Sequence, residues 1–293
     1  MTVDTRATPA SSPPPPRRGW GSRLVSGLGQ LLVTVGVVLL LFVVYEVYVT
    51  DLFGQRKQAA ATEAIDKQWA EQAPATDTVV VQDPAQLVTD PRQRTPQYST
   101  LTGEGFAKLY VPAFGADYTF TVVEGTDADD LYIGPGHYAD SQLPGQPGNF
   151  AVAGHRVSKG APFNDLGLLN SCDAVVVETQ DDWFVYRVLP MEEEKAGWAT
   201  AAGTRPQCAA VTPLGSPYDT VAGREITVPS DYAQVLPVPH VASTEVPADA
   251  QRLITLTTCH PQFSDAERMI IHGVLTASYS KSAGFLPPEL SES

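Results

Sequence analysis

The clearest hydrophobic pattern in the chain is an uninterrupted apolar run near its N-terminus. Residues 24–49 read LVSGLGQLLVTVGVVLLLFVVYEVYV, and the 22 residues from Leu24 to Tyr45 carry no charge. As a helix, this segment would be roughly 33 Å long, which matches the hydrocarbon core of a bilayer. The pattern therefore predicts a transmembrane anchor over residues 24–49.

The charges before this run predict its orientation. Residues 1–23 contain four arginines and a single acidic residue: Arg6, Arg17, Arg18, Arg23 and Asp4. Basic residues favour the cytoplasmic side, so we expect a cytoplasmic tail over 1–23 and everything after the anchor outside the cell. A cleaved signal peptide is the competing interpretation, because AAATEA at 59–64 resembles a weak cleavage site, although the apolar run is longer than a usual signal-peptide core. A buried helix of a soluble protein is disfavoured, because nothing would cover its apolar surface.

A polar segment follows the anchor. Residues 54–72 are rich in Ala, Gln, Glu and Lys, which favour a helix, and they place Ile65 and Trp69 four residues apart on one face. Residues 83–97 contain repeated prolines, which break regular structure. We interpret residues 50–97 as an extracellular stalk that holds the following domain away from the membrane.

From residue 98 to 285 the pattern changes to short apolar, β-branched or aromatic runs separated by Gly and Pro. This pattern predicts a mainly β domain, either a sandwich or a closed barrel, with short helical pieces near 127–134 and 162–170. Residues 190–234 lack strand periodicity and are expected to form a long excursion, and residues 286–293 a C-terminal tail. The predicted strands are 106–111, 119–124, 149–154, 174–179, 183–189, 252–258 and 268–279.

The charge balance excludes some partners. The chain has a formal net charge of −14, and without the residues of the N-terminal tail the charge is −17. A domain this acidic would repel nucleic acid and anionic lipid surfaces, so no nucleic-acid partner is expected. The acidity is equally explained by the need to keep an extracellular domain soluble.

The chain contains three cysteines, and an oxidising exterior changes what they can do. Cys172 and Cys208 could form a disulfide and leave Cys259 as the odd thiol, or both could be buried free thiols. Neither belongs to a CxxC pair, so we predict no zinc site. The acidic run at 127–130 lacks EF-hand spacing, so we predict no calcium site either.

Cys259 is the best candidate for a chemical role. It ends the predicted strand LITLTTC, and Arg268 begins the next strand with eight residues between them, so a hairpin would bring both to the same end. A thiol needs a proton acceptor or a nearby cation to act as a nucleophile, and an arginine can bind a carbonyl or an oxyanion. Without such a role, Cys259 would be an inert buried thiol.

Five histidines compete for the role of base: His137, His155, His240, His260 and His272. His155 leads on position, because it ends NFAVAGH, where a strand meets a turn. His260 is next to the thiol in sequence, but successive side chains of a strand point to opposite faces. His272 lies within an alternating strand, His137 lies in a Gly-rich turn that suggests a positioning role, and His240 lies in a Pro-rich loop that suggests exposure to solvent.

These motifs resemble the sortases, the cysteine transpeptidases of Gram-positive cell surfaces. TLTTC matches the Thr-Leu-x-Thr-Cys signature of the family. The segments GPGHY, LPGQPGNFAVAGHR, APFNDL, VVVET and WFVYRV, followed by TLTTCHP, the arginine and IIHG, are similar to the class E sortases of actinobacteria. The resemblance covers about residues 104–280 apart from the excursion at 190–234, which looks longer than is usual for the family.

The resemblance implies an eight-stranded β-barrel with short helices and a set of site residues. Cys259 would be the nucleophile, His155 the general acid/base, and Arg268 the oxyanion and substrate clamp, while Thr258 would help to shape the oxyanion site. No cofactor and no metal are expected.

The resemblance further implies the substrates and the location. A thioester would form at the Thr–Gly bond of a C-terminal sorting signal, of the Leu-Ala-x-Thr-Gly type in class E, on a surface protein. An amine of a cell-wall precursor would then resolve it. The N-terminal anchor fits the membrane topology of the family, with the catalytic domain at 98–285 outside the cell.

Two other interpretations stay open from the sequence. A cysteine protease would resolve the same thioester with water, although papain-like enzymes place the cysteine before the histidine and the caspase QACRG pattern is absent here. A non-catalytic surface scaffold would keep its function without Cys259.

Overall fold

A computed structural model describes residues 20–45, 49–72, 103–281 and 284–292, without the side chains of 21–23. Several parts of the predicted segments lie outside the described residues: 1–19 of the cytoplasmic tail, 46–48 of the anchor, 73–97 of the stalk, 98–102 and 282–283 of the domain, and 293 of the C-terminal tail. The described residues 20–45 form one compact unit, and those from residue 49 onward form a second.

The described part of the second unit is built on nine β-strands. Eight of them follow one another around a closed barrel in the order β6-β5-β1-β2-β3-β4-β8-β9, and a pairing of β6 with β9 closes it. The ninth, β7, pairs with the beginning of β9 and lies outside this circuit. The strands are β1 Gly105–Tyr110, β2 Thr119–Glu124, β3 Gly136–His137, β4 Gly148–Ala153, β5 Ala174–Glu178, β6 Asp182–Val188, β7 Arg224–Thr227, β8 Arg252–His260 and β9 Glu267–Ser280.

The eight-stranded barrel confirms the predicted fold class. All seven predicted strands are present, and the two predicted helical pieces are a short α-helix, Ala128–Leu131, and a 3-10 turn, Leu166–Leu168. The prediction that residues 190–234 contain no strand is wrong, because β7 lies there. Its one large apolar side chain, Ile226, is 45% exposed, so β7 depends on pairing with β9 and leaves little hydrophobic pattern.

The barrel interior explains which side chains remain outside it. On β8, Ile254 and Leu256 belong to the main hydrophobic core, and on β9 Met269 and Ile271 do the same. Because side chains alternate along a strand, the residues between them point to the outer face. These outward-facing residues are Thr255, Thr257 and Cys259 on β8, and Arg268, Ile270 and His272 on β9.

The first unit contains helix α1, Trp20–Val44. Its segment Leu24–Val44, 21 residues with a mean hydropathy of 2.5, is long and apolar enough to cross a membrane. The large apolar side chains of this segment are exposed, as expected of a helix whose apolar surface contacts lipid.

Helix α2, Thr50–Gln72, lies within the predicted stalk but packs on the barrel. Ile65 is buried against the domain. The amide of Gln58 donates from Nε2 to the carbonyl oxygens of Thr121 (3.2 Å) and Ile133 (3.0 Å). Residues 50–72 are therefore not a free spacer. The sequence concealed this contact because α2 offers one fully buried apolar residue, and polar side chains such as Gln58, Thr62 and Asp51 make much of the contact.

The excursion after β6 has a small core of its own. It contains the short helices α4, Glu192–Lys195, and α5, Trp198–Ala202, numbered after α3 at Ala128–Leu131. Trp198 packs with Cys172, Cys208 and Val211 and donates its indole N–H to the carbonyl oxygen of Val211 at 2.8 Å. Cys172 and Cys208 form a disulfide with a Cα separation of 5.1 Å. The bond ties the excursion to the residues just before β5.

Candidate active site

Two parallel strands bring His155 and Cys259 to one edge of the barrel. β4 and β8 run side by side with Ala153 opposite Thr257, and the Gly154 N–H donates to the Thr257 carbonyl oxygen at 3.0 Å. His155 follows Ala153 by two residues, and Cys259 follows Thr257 by two. Because the carboxyl ends of parallel strands meet at the same edge, the two residues lie at the same edge of the barrel.

The antiparallel ladder of β8 and β9 brings Arg268 to the thiol. Cys259 and Arg268 are directly opposite each other in this ladder. Opposite residues project to the same face, with Cβ atoms about 4.5–5.5 Å apart. Arg268 donates from Nη1 to the carbonyl oxygens of Asp265 and Glu267, both at 3.0 Å. Within the described part of the chain, its Nε and Nη2 have no such partner, so they can face a ligand.

The imidazole of His155 is half-buried, and one of its ring nitrogens makes no hydrogen bond to the described residues. Its Nε2 is shielded from solvent and has no hydrogen-bond partner among the described residues. Burial, and to a smaller extent the positive charge of Lys159, lower the pKa of His155 to about 4. Desolvation disfavours the charged ring, so at neutral pH His155 is uncharged and its free nitrogen can accept a proton.

Close packing at Gly154 fixes the path of the backbone just before His155. A Cβ at this position would lie 2.5 Å from the ring of Phe163, which is itself fully buried. The Phe163 N–H donates to the carbonyl oxygen of His155 at 3.0 Å. Only glycine allows this approach, so the loop after His155 folds back on the histidine and fixes its backbone.

Arg156 is a site residue that the sequence interpretation missed. Its Nη1 donates to the carbonyl oxygen of Cys259 at 3.3 Å and to Nδ1 of His260 at 2.5 Å. It therefore joins the loop after His155 to the end of β8. Its only sequence signal is its place directly after the candidate histidine.

Helix α2 braces the same loop from the other side. Asp51 accepts the N–H of Gly160 through Oδ1 at 3.1 Å. Gly54 lies so close that an added Cβ would be 2.6 Å from the carbonyl carbon of Lys159. Lys159 and Ser158 both have positive φ, a conformation that the surrounding contacts must support.

The two threonines before Cys259 have different partners. Thr258 is buried, and its hydroxyl donates to the carbonyl oxygen of Gly154 at 2.8 Å. A hydroxyl has one proton, so this group cannot also donate to an oxyanion, and Thr258 shapes the site by tying β8 to the entry of His155. Thr257 instead contacts the Tyr138 hydroxyl at 3.0 Å, and burial raises the pKa of that phenol.

A small cavity of about 60 Å³ opens beside Arg268. Tyr138, Thr257, Asp231 and Tyr232 line it together with Arg268, and the Tyr232 side chain is 74% exposed at its edge. A larger cavity, of about 900 Å³, lies between α2 and the barrel and contains none of the predicted catalytic residues. The smaller cavity adjoins Arg268, which lies opposite Cys259 in the ladder, and neither Cys259 nor His155 is among its lining residues.

The other candidate histidines are held in structural contacts. His137 is buried, with Nδ1 2.8 Å from Glu124 and Nε2 3.0 Å from the Ser141 hydroxyl. His272 is fully buried between Thr255 and Gln234. His240, expected in solvent, is 3.1 Å from Glu225, so it is exposed but not free.

A barrel with a cysteine, a histidine and an arginine at one rim has the architecture of a cysteine transpeptidase. The Sortase domain family matches residues 109–276, more than half of the chain, and the chain belongs to the sortase family.

Named relatives agree with this assignment. Sortase SrtE2 of Streptomyces coelicolor is 29% identical over 276 residues, which is 92% of this chain and 88% of that protein. Sortase SrtE1 of the same organism is 28% identical over 264 residues, and the chain spans only 58% of its length. The structure of the SrtF sortase from Corynebacterium diphtheriae is 46% identical, with a TM-score of 0.61 over 70% of this chain and 99% of that one. The likeness to class E sortases is thereby confirmed.

Proposed function

We propose that this sortase-family chain is a membrane-anchored transpeptidase. It cleaves a C-terminal sorting signal between Thr and Gly, holds the acyl group as a thioester on Cys259, and transfers it to an amine of a cell-wall precursor. The observation that supports the proposal is the register of the strands, in which Ala153 lies opposite Thr257, two residues before His155 and Cys259 respectively, and Cys259 lies opposite Arg268.

The first half-reaction forms the thioester. Uncharged His155 accepts the proton of the Cys259 thiol as the sulfur attacks the Thr carbonyl carbon. The carbonyl oxygen gains the negative charge, and the guanidinium of Arg268 stabilises it. The C–N bond then breaks, and protonated His155 gives its proton to the glycine nitrogen, which leaves as an amine. Every proton taken up is returned, so His155 ends uncharged.

The second half-reaction reverses these roles. The acceptor amine attacks the thioester carbon, His155 takes the proton from that nitrogen, and the C–S bond breaks to give a new amide. The Cys259 sulfur recovers its proton from His155. Arg156, Thr258 and Gly154 act as positioning residues, because they join the two strand ends without contacting the reacting atoms.

The membrane orientation belongs to the same proposal. The arginines before α1 favour a cytoplasmic N-terminus, and the disulfide suits a catalytic domain in an oxidising exterior. Surface proteins bearing a sorting signal and a cell-wall amine are then available on the same side. A signal of the Leu-Ala-x-Thr-Gly type is the proposed substrate, on the basis of the class E relatives.

The test uses the full-length chain in detergent micelles with Leu-Ala-x-Thr-Gly and Leu-Pro-x-Thr-Gly peptides and triglycine as the amine. Mass spectrometry should find the peptide joined to triglycine, and without triglycine an acyl adduct on Cys259 that hydroxylamine removes. The Cys259→Ala variant should give neither. Cleavage without joining would indicate a hydrolase. No adduct with either peptide would overturn the proposed substrates, and unchanged turnover in Cys259→Ala would overturn the nucleophile.

A further inference from the structure

A second group of polar side chains lies farther along the outer face of β8 and β9, away from Cys259. It contains Glu225 on β7, His240 in the following loop and His272 on β9. One potential metal-ligand atom from each residue, a ring nitrogen or a carboxylate oxygen, lies within 4.8 Å of the other two. His272 is fully buried, Glu225 is half-buried and His240 is exposed. The proposed reaction uses none of these residues.

Counting hydrogen-bond protons fixes the tautomer of His272. The Asn149 amide donates from Nδ2 to the carbonyl oxygens of Gln234 and Leu236, both at 3.1 Å, so its Oδ1 is an acceptor. It accepts the hydroxyl of Thr255 at 2.7 Å. Because that hydroxyl has one proton, Thr255 can only accept from Nδ1 of His272, 2.9 Å away. The ring is therefore protonated at Nδ1, and in its uncharged form Nε2 carries the lone pair.

The lone pair of His272 Nε2 faces a second acceptor, Oε1 of Gln234, at 3.1 Å. The Gln234 amide nitrogen donates to Asp231 at 3.1 Å and to Glu225 at 3.4 Å. Turning the amide over would satisfy His272 but would set its oxygen against two carboxylates. In both orientations two acceptors oppose each other, so the cluster as a whole favours a cation.

We propose that Glu225, His240 and His272 bind a transition-metal dication, with Zn²⁺ as the best-suited probe. Two imidazoles and a carboxylate are ligands that Zn²⁺ takes readily. A tetrahedral zinc site with bonds of about 2.0–2.1 Å places its ligand atoms about 3.4 Å apart. Nε2 of His240 lies 3.1 Å from the Glu225 carboxylate and Nε2 of His272 lies 3.9 Å from it. Closing around an ion thus needs shifts of little more than an ångström.

The surroundings supply the other features of a metal site. The Nδ1–H of His272 donates to Thr255, which is how most metal-binding histidines fix their ring, and Oε1 of Gln234 is available as a fourth ligand. His240 is on the exposed side, so an ion can enter there. These are not the residues considered for a metal from sequence, because the three ligands lie 15 and 32 residues apart in the chain.

A bound ion would stiffen one wall of the cavity beside Arg268. Asp231 and Gln234, which contact Glu225 or its neighbours, also line the cavity that contains Arg268. The site itself does not depend on the proposed reaction. Its test is therefore metal binding and not turnover.

The experiment uses the full-length chain without a polyhistidine tag, in detergent, in the Cys259→Ala background so that the reactive thiol cannot bind zinc. Titration calorimetry with ZnCl₂ should show one site with a micromolar or lower dissociation constant, and the protein should retain one zinc per chain after desalting. The melting temperature should rise by several degrees with zinc and not with calcium.

The decisive variant is His240→Asn, because asparagine tolerates the positive φ of 69° at this exposed position while removing the imidazole. It should weaken zinc binding at least 30-fold and abolish the thermal shift. His260→Ala is the matched control, since it removes a histidine outside the cluster and should bind zinc as the parent does. Absence of zinc binding by the parent, or equal binding by His240→Asn, would overturn the site.

Discussion

The outer face of the β8–β9 ladder has two halves that differ in how their polar groups are used. In one half Thr255 lies opposite His272, and in the other Cys259 lies opposite Arg268. The first pair is buried under residues 231–240 and hydrogen-bonded through Asn149 and Gln234. The second pair is partly exposed and leaves donor groups of Arg268 without partners in the described structure.

Two histidines show what this difference means. Burial lowers the pKa of both His155 and His272 to about 4, so the low pKa alone does not identify a catalytic group. His272 has a polar neighbour at each ring nitrogen, whereas Nε2 of His155 has none among the described residues. A buried polar atom without a partner costs about 1–3 kcal/mol, and a catalytic role explains why such a cost is tolerated.

The largest effect should come from the open half. Arg268→Ala removes the cation beside the developing oxyanion, so kcat should fall by about 10²–10³-fold. The melting temperature should change little, because the side chain is only partly buried. The kcat of Arg268→Lys should lie between those of the parent and Arg268→Ala, since lysine keeps the charge without the guanidinium fork. Peptide-joining kinetics and thermal unfolding measure the two quantities. If the variant loses stability in parallel with activity, Arg268 has a structural role like that of the buried Thr255–His272 half of the ladder.

The covered half should behave in the opposite way. Asn149→Ala leaves the carbonyl oxygens of Gln234 and Leu236 and the Thr255 hydroxyl without their partner, so the free energy of unfolding should fall by about 2–3 kcal/mol. Urea denaturation measures this loss. The control Asn170→Ala, at an exposed site, should change stability by less than about 0.5 kcal/mol. Equal stability of the two variants would show that the hydrogen bonds from Asn149 to residues 231–240 contribute nothing to the stability of the fold.

The support beneath His155 can be tested from helix α2. Gly54→Val would force the helix away from the Lys159 backbone and shift the loop that follows His155. A misplaced base should lower kcat by about tenfold or more, because small displacements are costly in catalysis. Ala60→Val adds the same branched side chain at an exposed position of the same helix and should leave kcat unchanged. If both variants are equally active, α2 does not position the site.

The smallest expected effect is on the pH profile. Because the pKa of His155 is lowered to about 4, its basic form persists through pH 5, and kcat/KM should fall only near pH 4. An ordinary histidine would already lose about tenfold at pH 5.5. Lys159→Ala removes a positive charge that opposes protonation, so the acid limb should move upward. An acid limb at pH 6.5 in the parent would mean that His155 is not held in its uncharged form.

The sequence predicted the parts of the molecule that depend on local pattern. Alternating apolar residues identified the seven longer strands, and the Cys259–Arg268 hairpin followed from the short spacing between two of them. β3 and β7 were missed because they are too short to show a period, and pairing with neighbours holds them in the sheet. Arg156 and the Asn149–His272 network were missed because their partners lie about 100 residues away in the chain.

Because of the disulfide, Cys259 is the single free thiol of the chain. The chain has three cysteines and two of them are joined, so the proposed nucleophile is the one remaining thiol. One equivalent of a maleimide or iodoacetamide dye should therefore label the native protein, and a bound peptide should block that label. The choice of buffer matters for the same reason, because a strong reductant that keeps Cys259 reduced can also break the disulfide that holds the excursion.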